Sequence, residues 1–280
     1  MADARADTRD LAERLADVIA PRGRMITAYS GGVDSTVVAV AARRVLGRAN
    51  APAAIGDSTS LPRRELAEAR ELARRLDIEL IEVQPGEQAD DRYRVNDPQR
   101  CYFCKTHLYD ALHELARRRD IRYIANGTNA DDLGDHRPGL RAAAEAEVIS
   151  PLLEAGLTKA DVRTLAAFDH LPNADKPAAA CLASRIPYGT PVTTERLSRV
   201  ERAENVLHVK GFRGFRVRHH ETMARIELPP DQWPRLLDPA VREQVVRELR
   251  AIGYAYISLD LAGFRSGSAN DVLSHALPGG

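Results

Sequence analysis

The chain has 280 residues, enough for one large domain or two smaller ones, and its 40 Lys and Arg residues balance its 40 Asp and Glu. A pI near 7.1 lacks the basic excess of nucleic-acid-binding domains and disfavours a tRNA substrate. The polar start Met1–Arg9 carries no signal-like apolar core, no stretch reaches membrane-spanning length, and the three cysteines are an odd count, so the expectation is a cytoplasmic protein with no membrane partner and no disulfide framework.

Leu11, Leu15, Val18 and Ile19 share one face and predict a helix over 8–20. Met25-Ile26-Thr27-Ala28-Tyr29 reads as a strand, Ser30-Gly31-Gly32-Val33-Asp34-Ser35 as a tight turn, and the run with Val37, Val38, Ala41 and Val45 as the helix leaving it. Ala53–Gly56 predicts a second strand, 63–76 a helix and Ile78–Val83 a buried strand. A loop with Asp90, Asp91, Asn96, Asp97 and Pro98 leads to Cys101-Tyr102-Phe103-Cys104, placed just before a helix over 105–119. Ile121–Ala125 is a further strand that runs into Asn126-Gly127-Thr128-Asn129-Ala130-Asp131-Asp132. Strands alternating with helices predict an α/β fold with a parallel sheet covered on both faces, and ligands at the carboxyl ends of its strands. Ser30–Ser35 and Gly127–Asp132 both occupy such ends. Pro172, Pro177, Pro187 and Pro191 punctuate a loop-rich stretch, and Ile186–Pro191 reads as a boundary between domains 1–186 and 187–280. Beyond it a helix around Leu197–Leu207, a hairpin over 214–220 and 223–228, a helix over 239–252 and a strand Tyr254–Leu261 predict a smaller α+β domain.

The turn at 30–35 has the chemistry of a phosphate site. Its glycines let the backbone approach a ligand, Ser30 and Ser35 add hydroxyl donors, and the new helix directs unpaired N–H groups and its positive dipole end at the turn. No Gly-Lys-Ser/Thr ending is present, and Asp34 suits a magnesium-bound polyphosphate. Asp131 and Asp132 are further candidates for placing Mg²⁺ or ATP. The Cys101–Cys104 pair alone reads equally as half a zinc site, a redox pair or two buried thiols, and Cys181 alone as a small hydrophobe in a loop. In Phe215-Arg216-Val217-Arg218-His219-His220, strand alternation puts Arg216, Arg218 and His220 on one face, where two guanidinium groups can grip a phosphate or simply be solvated.

Ser30–Ser35 matches the Ser-Gly-Gly-x-Asp-Ser signature of the PP-loop ATP pyrophosphatases, enzymes that cleave ATP between the α and β phosphates and make adenylates. The segments Gly127–Gly139, Ser150-Pro151-Leu152, Leu157-Thr158-Lys159 and Lys176–Arg185 resemble, more narrowly, the LarE family of ATP-dependent sulfur transferases, and this likeness runs from about Ala12 to Asn270. The resemblance implies an adenine nucleotide alpha hydrolase-like fold, ATP with Mg²⁺, and Ser30, Gly31, Gly32, Val33, Asp34, Ser35, Gly127 and Thr128 around the nucleotide. It implies thiolation of pyridinium dicarboxylate mononucleotide for the nickel-pincer cofactor of lactate racemase, with a separate sulfur donor and a homo-oligomeric enzyme. Arg216 and Arg218 would hold the substrate phosphate, with Ser184 and Arg185 beside the reacting carboxylate. Cys101, Cys104 and Cys181 match the three-cysteine form, whose thiolates hold a [4Fe–4S] cluster with one iron free to carry sulfide. The rival readings are a one-use Cys181 that surrenders its own sulfur, a structural zinc site completed by His107, an amidating PP-loop synthetase such as an NAD or GMP synthetase, a tRNA thiolase, and a non-enzymatic nucleotide or iron–sulfur carrier. His136 reads as structural.

Overall fold

The computed structural model describes residues 2–134, 138–177, 180–265 and 268; His136, with Asp135 and Arg137, and the Ala178-Ala179 pair of the Lys176–Arg185 motif lie outside the described residues. The chain divides into two compact units, Met1–Tyr93 with Gln99–Ala179, and Arg94–Pro98 with Ala180–Gly280.

The first unit runs α1 (Ala2–Ile19), β1 (Met25–Ala28), α2 (Val33–Leu46), β2 (Ala53–Gly56), α3 (Arg63–Arg75), β3 (Leu80–Val83), α4 (Asp91–Arg94), α5 (Arg100–Arg119), β4 (Tyr123–Ala125), α6 (Pro138–Glu145), α7 (Pro151–Glu154) and α8 (Lys159–Phe168). Its strands form a parallel sheet in the order β3-β2-β1-β4, the α/β architecture that the alternation predicts. Successive residues of the central strand face opposite layers. Met25 enters a core with Leu15, Ile19, Val37, Val38, Val162 and Leu165 from α1, α2 and α8. Ile26 enters another with Tyr109, Leu112, Leu115, Ala142 and Ala143 from α5 and α6. Each such aliphatic side chain contributes about 1.5–3 kcal/mol on burial, which is enough to hold the loop-bearing ends of β1 and β4 in register.

Two elements depart from the expectation. β3 is not a buried strand: it is the sheet edge, where Glu82 faces outward and pairs with Arg70. α5 starts at Arg100, so Cys101 and Cys104 lie within its first turns rather than before it. Tyr102 and Phe103 break the apolar period there because they pack against cations, with Arg141 at 4.0 Å from the Tyr102 ring centroid and Arg92 at 4.8 Å from that of Phe103.

The second unit contains α9 (Thr194–Val209), β5 (Arg216–His220), β6 (Met223–Glu227), α10 (Trp233–Leu237), α11 (Pro239–Ile252) and β7 (Tyr256–Leu259). β5 pairs antiparallel with β6, and β6 parallel with β7. Its core joins Ala203 and Leu207 of α9, Val245 and Leu249 of α11, and Val217, Ala224 and Ile226 from the sheet. α11 is bounded as its sequence dictates: Asp238 accepts from Ala240 and Val241 at the start, Pro239 opens the first turn, and Gly253 closes it at φ +113°. Among the described residues no helix is long and apolar enough to cross a membrane.

Val217 and His219 point to this core, and His219 Nδ1 lies 3.1 Å from the Tyr254 hydroxyl. Burial pushes Tyr254 up to about 12 and holds both His219 and His220 below the ordinary histidine value. Both imidazoles thus stay neutral in the folded protein while the unfolded chain takes up protons below a pH of about 6.5. The unfolded state then binds more protons, so stability should fall as the pH drops from 7 towards 5.5. Urea midpoints should show this slope, and His220→Gln should make it shallower.

Candidate functional site

β1 ends at Ala28 and α2 begins at Val33, so Tyr29–Gly32 reverse the chain at the carboxyl end of the central strand. Gly32 is the N-cap of α2 and no side chain caps it, which leaves first-turn N–H groups open to an anion. The two serines sew the turn: Ser35 Oγ accepts from Ser30 N at 3.2 Å, donates to Gly32 O at 3.1 Å and lies 3.0 Å from Ser30 Oγ. Two glycines are dictated by space. Gly31 sits at φ +70°, and a Cβ there would come within 2.9 Å of the Ala69 Cβ. A Cβ on Gly127, just past β4, would lie 2.7 Å from Ser35 N and 3.1 Å from the Asp34 Cβ. The Gly127–Thr128 loop therefore lies directly on the first turn of α2, forming a backbone-lined cradle that suits a phosphate chain.

Asp34 opens onto this cradle with its side chain 24% exposed. It is in ion-pair contact with Lys159 Nζ and accepts from Asn129 Nδ2 at 3.1 Å. Lys159 is the first residue of α8, fixed by the Thr158–Asp161 capping box and by its own N–H donating to Asp131 Oδ2 at 2.9 Å. Asp132 Oδ2 accepts from Asn129 N at 3.0 Å, and Asn129 Oδ1 from Asp131 N at 3.0 Å. One oxygen of each loop carboxylate is thus spent on shaping the loop that carries Asn129. In the sequence both Lys159 and Asn129 fall within motifs that give neither a role; the capping box starting at Thr158 is the local signal that marks Lys159 as a helix start.

On α5, Cys101 is exposed and Cys104 half-buried, one turn apart, and neither is in a disulfide. Tyr102 between them donates to Glu145 at 2.5 Å. His107 Nε2 lies 2.8 Å from Asp90 Oδ2, and Arg92 with His107 holds the Asp90 carboxyl far below the usual range. One imidazole nitrogen is therefore already engaged. Cys181, half-buried, is the N-cap of a 3-10 turn, Leu182–Arg185, in the second unit. Among the described residues no group of three or more His, Cys, Asp or Glu side chains gathers as a metal-ligand set. By type, three cysteines outside any disulfide, none of them fully buried, are suitable donors for iron.

The Cys181 turn is tied to the arginine strand. Arg185, 3% exposed, binds Glu204 through Nε and Nη2 at 2.8 and 3.1 Å and donates to the carbonyls of Ala180 and Cys181 at 2.7 and 2.9 Å. Glu204 also accepts from Val217 N at 3.1 Å. Arg218 forms a fork with Glu227 at 2.9 and 2.8 Å and donates to Ser184 O at 2.7 Å. Ser184 Oγ donates to Cys181 O at 2.8 Å. Cys181, Ser184, Arg185 and Arg218 are thus one bonded assembly. Arg216, on the same strand face, differs: it donates to Phe215 O and lies 4.9 Å from the Phe264 ring centroid, with no carboxylate bonded to it among the described residues. Burial, then the neighbouring Arg185, pushes it down to about 10, leaving it a cation in want of an anion. Glu204 and Glu227, which neutralise the other two arginines, were not legible from local pattern.

A family model described as NAD synthase matches residues 10–99, the stretch that contains the loop and α2 but ends before the cysteines. An uncharacterised protein of Synechocystis is 43% identical over 94% of this chain and 97% of its own. The pyridinium-3,5-bisthiocarboxylic acid mononucleotide synthase of Lactiplantibacillus plantarum is 38% identical over 90% of this chain and 91% of its own. An uncharacterised Methanocaldococcus jannaschii protein is 27% identical over 87% of this chain. With its PP-loop domain and its three cysteines, the chain belongs to the LarE family of ATP-dependent PP-loop sulfur transferases.

Proposed function

We propose that the protein adenylates a carboxylate of pyridinium dicarboxylate mononucleotide and replaces AMP by sulfur, giving the thiocarboxylate named for its Lactiplantibacillus relative. The observation that carries this reading is the bonding of the Cys181 turn to the arginine strand, which joins a sulfur-bearing residue to the strand that carries Arg216, a half-buried cation suited to a substrate phosphate. That arrangement has no use in an amidating synthetase.

The phosphates of ATP take the first-turn N–H groups of α2, the Ser30 and Ser35 hydroxyls and the Gly127–Thr128 loop. Asp34 would hold Mg²⁺, with Asp131 and Asp132 setting the loop beside it, and the metal would neutralise charge on the departing pyrophosphate. Lys159 then turns from Asp34 to the phosphates. The substrate carboxylate attacks the α-phosphorus: an O–P bond forms, the bond to the β-phosphate bridging oxygen breaks, and pyrophosphate leaves. A carboxylate has a poor leaving group; an acyl-adenylate has a good one. Sulfur next attacks the acyl carbon, forming C–S as the C–O bond to AMP breaks. Arg216 binds the mononucleotide phosphate, and Arg185 and Arg218 hold Ser184 and the Cys181 backbone still, which makes the encounter a positioned one.

Cys101, Cys104 and Cys181 would hold a [4Fe–4S] cluster, and when bound this group supplies the transferred sulfur. A second reading, with Cys181 giving up its own sulfur, is favoured by one observation: Cys181 alone belongs to the unit with the arginines. We further propose a cytoplasmic, homo-oligomeric enzyme served by a separate sulfur donor.

Anaerobic purification followed by iron and sulfide assays, and mass spectrometry after turnover, tests both readings. The cluster reading predicts iron-bearing protein, repeated turnover and an intact Cys181. Colourless protein whose Cys181 becomes dehydroalanine supports the second reading, and pyrophosphate release without a thiolated product ends both.

A further inference from the structure

Asn173 lies after α8, is 7% exposed, and serves no element of secondary structure. Its Nδ2 donates to Gly31 O at 3.1 Å and to Thr36 Oγ1 at 3.0 Å. Thr36, fully buried, passes its own hydroxyl proton to Gly32 O at 2.8 Å. Two consecutive loop carbonyls are thus drawn to the protein interior, one by Asn173 directly and one by the threonine that Asn173 holds. Among the described residues Asn173 Oδ1 is buried with no hydrogen-bond partner, so the bonds this side chain makes there are those of its donor end.

The consequence follows from peptide geometry. In a trans peptide the C=O of one residue and the N–H of the next point in opposite directions. Carbonyls of Gly31 and Gly32 aimed inward therefore aim the N–H groups of Gly32 and Val33 outward. The Gly32 N–H indeed meets the Ser30 hydroxyl at 3.3 Å, on the exposed side of the turn. Gly32 O is also held by Ser35 Oγ and by the Thr36 N–H, at 3.1 Å each, whereas Asn173 is what holds the Gly31 carbonyl, and Gly31, at φ +70°, has no side chain of its own to hinder rotation.

We infer that Asn173 is a positioning residue for ATP, which holds the PP-loop peptides with their N–H groups turned towards the phosphates. This rests on the reading of Ser30–Ser35 as the phosphate cradle. The preparation of the cradle is then built into the protein before the nucleotide arrives, rather than produced by it.

The test uses the full chain and the Mg²⁺ complex of α,β-methylene-ATP, titrated by calorimetry. Asn173→Asp keeps the shape but replaces the donor with an acceptor facing Gly31 O. It should weaken binding about tenfold or more, whereas Asn173→Ser, which retains one donor, should stay within about threefold. In turnover, the KM for ATP should rise while the KM for the mononucleotide stays unchanged, a split that general loosening would not produce. If Asn173→Asp does not fold, Asn173→Ala removes the amide without adding charge and should show the same loss. Folded variants that bind the analogue as tightly as the wild type overturn the inference and leave the cradle reading intact. A wild-type protein that does not bind the analogue overturns the cradle reading itself.

Discussion

Asp34→Asn should slow ATP-dependent pyrophosphate release by about a thousandfold or more, corresponding to roughly 4 kcal/mol of lost transition-state stabilisation. The amide is isosteric but cannot neutralise a metal ion, so charge on the leaving pyrophosphate goes uncompensated. Folding should hardly change. The Asp34–Lys159 contact is partly exposed, at 24% and 36%, and such pairs contribute about 0–1 kcal/mol. Lys159 provides a second, opposite signature. On the proposed role of Asp34, Mg²⁺ would have to displace the Lys159 ammonium from it, so Lys159→Met should lower the Mg²⁺ concentration for half-saturation and yet reduce turnover. Stopped-time pyrophosphate assays across a Mg²⁺ series would separate the two; a parallel loss of both in Lys159→Met would refute the exchange of partners.

The largest effect in the second unit should come from the contrast between two arginines that sequence pattern treats as equals. Arg218→Met leaves Glu227, 1% exposed, with Arg225 and Ser268 to face it among the described residues. Breaking a buried pair in this way costs about 3–5 kcal/mol, and thermal melting should register it. Arg216→Met strands no carboxylate and removes a cation whose burial is unfavourable. Its melting temperature should hold or rise while the KM for the mononucleotide increases about a hundredfold, the scale of two charge-assisted hydrogen bonds. Equal destabilisation by both substitutions would remove the distinction drawn here.

Much of this fold is written locally. Met25 and Ile26 alternate into opposite cores because a strand has a period of two, and Leu66, Ala69, Leu72 and Ala73 mark the buried stripe of α3. The turn at 30–35 is legible because glycines in a strand–turn–helix setting have few other uses. What escaped depends on residues brought together from far along the chain. Lys159 reaches Asp34, Asn173 reaches Gly31, and Glu204 reaches Arg185, and no spacing rule encodes such pairs. The place of β3 escapes local pattern for a related reason: an apolar run states that a strand exists, but only the strand order reveals that it lies at the sheet edge. The early start of α5 is obscured in the sequence by Tyr102 and Phe103, which stack with Arg141 and Arg92 even though Tyr102 also touches the edge of the core.

The bonds found at the turn that presents Cys181, among the described residues, run through oxygen. Its own carbonyl accepts from Ser184 and Arg185, and the neighbouring Ala180 and Ser184 carbonyls accept from Arg185 and Arg218. None of these bonds involves the thiol, so the scaffold is indifferent to what becomes of the sulfur. On the one-use reading, a spent molecule would keep its fold, its arginines and its affinity for the mononucleotide. Exhausted protein would then compete with fresh protein for substrate, and a cell relying on such a donor would need to remove the used copies as well as make new ones.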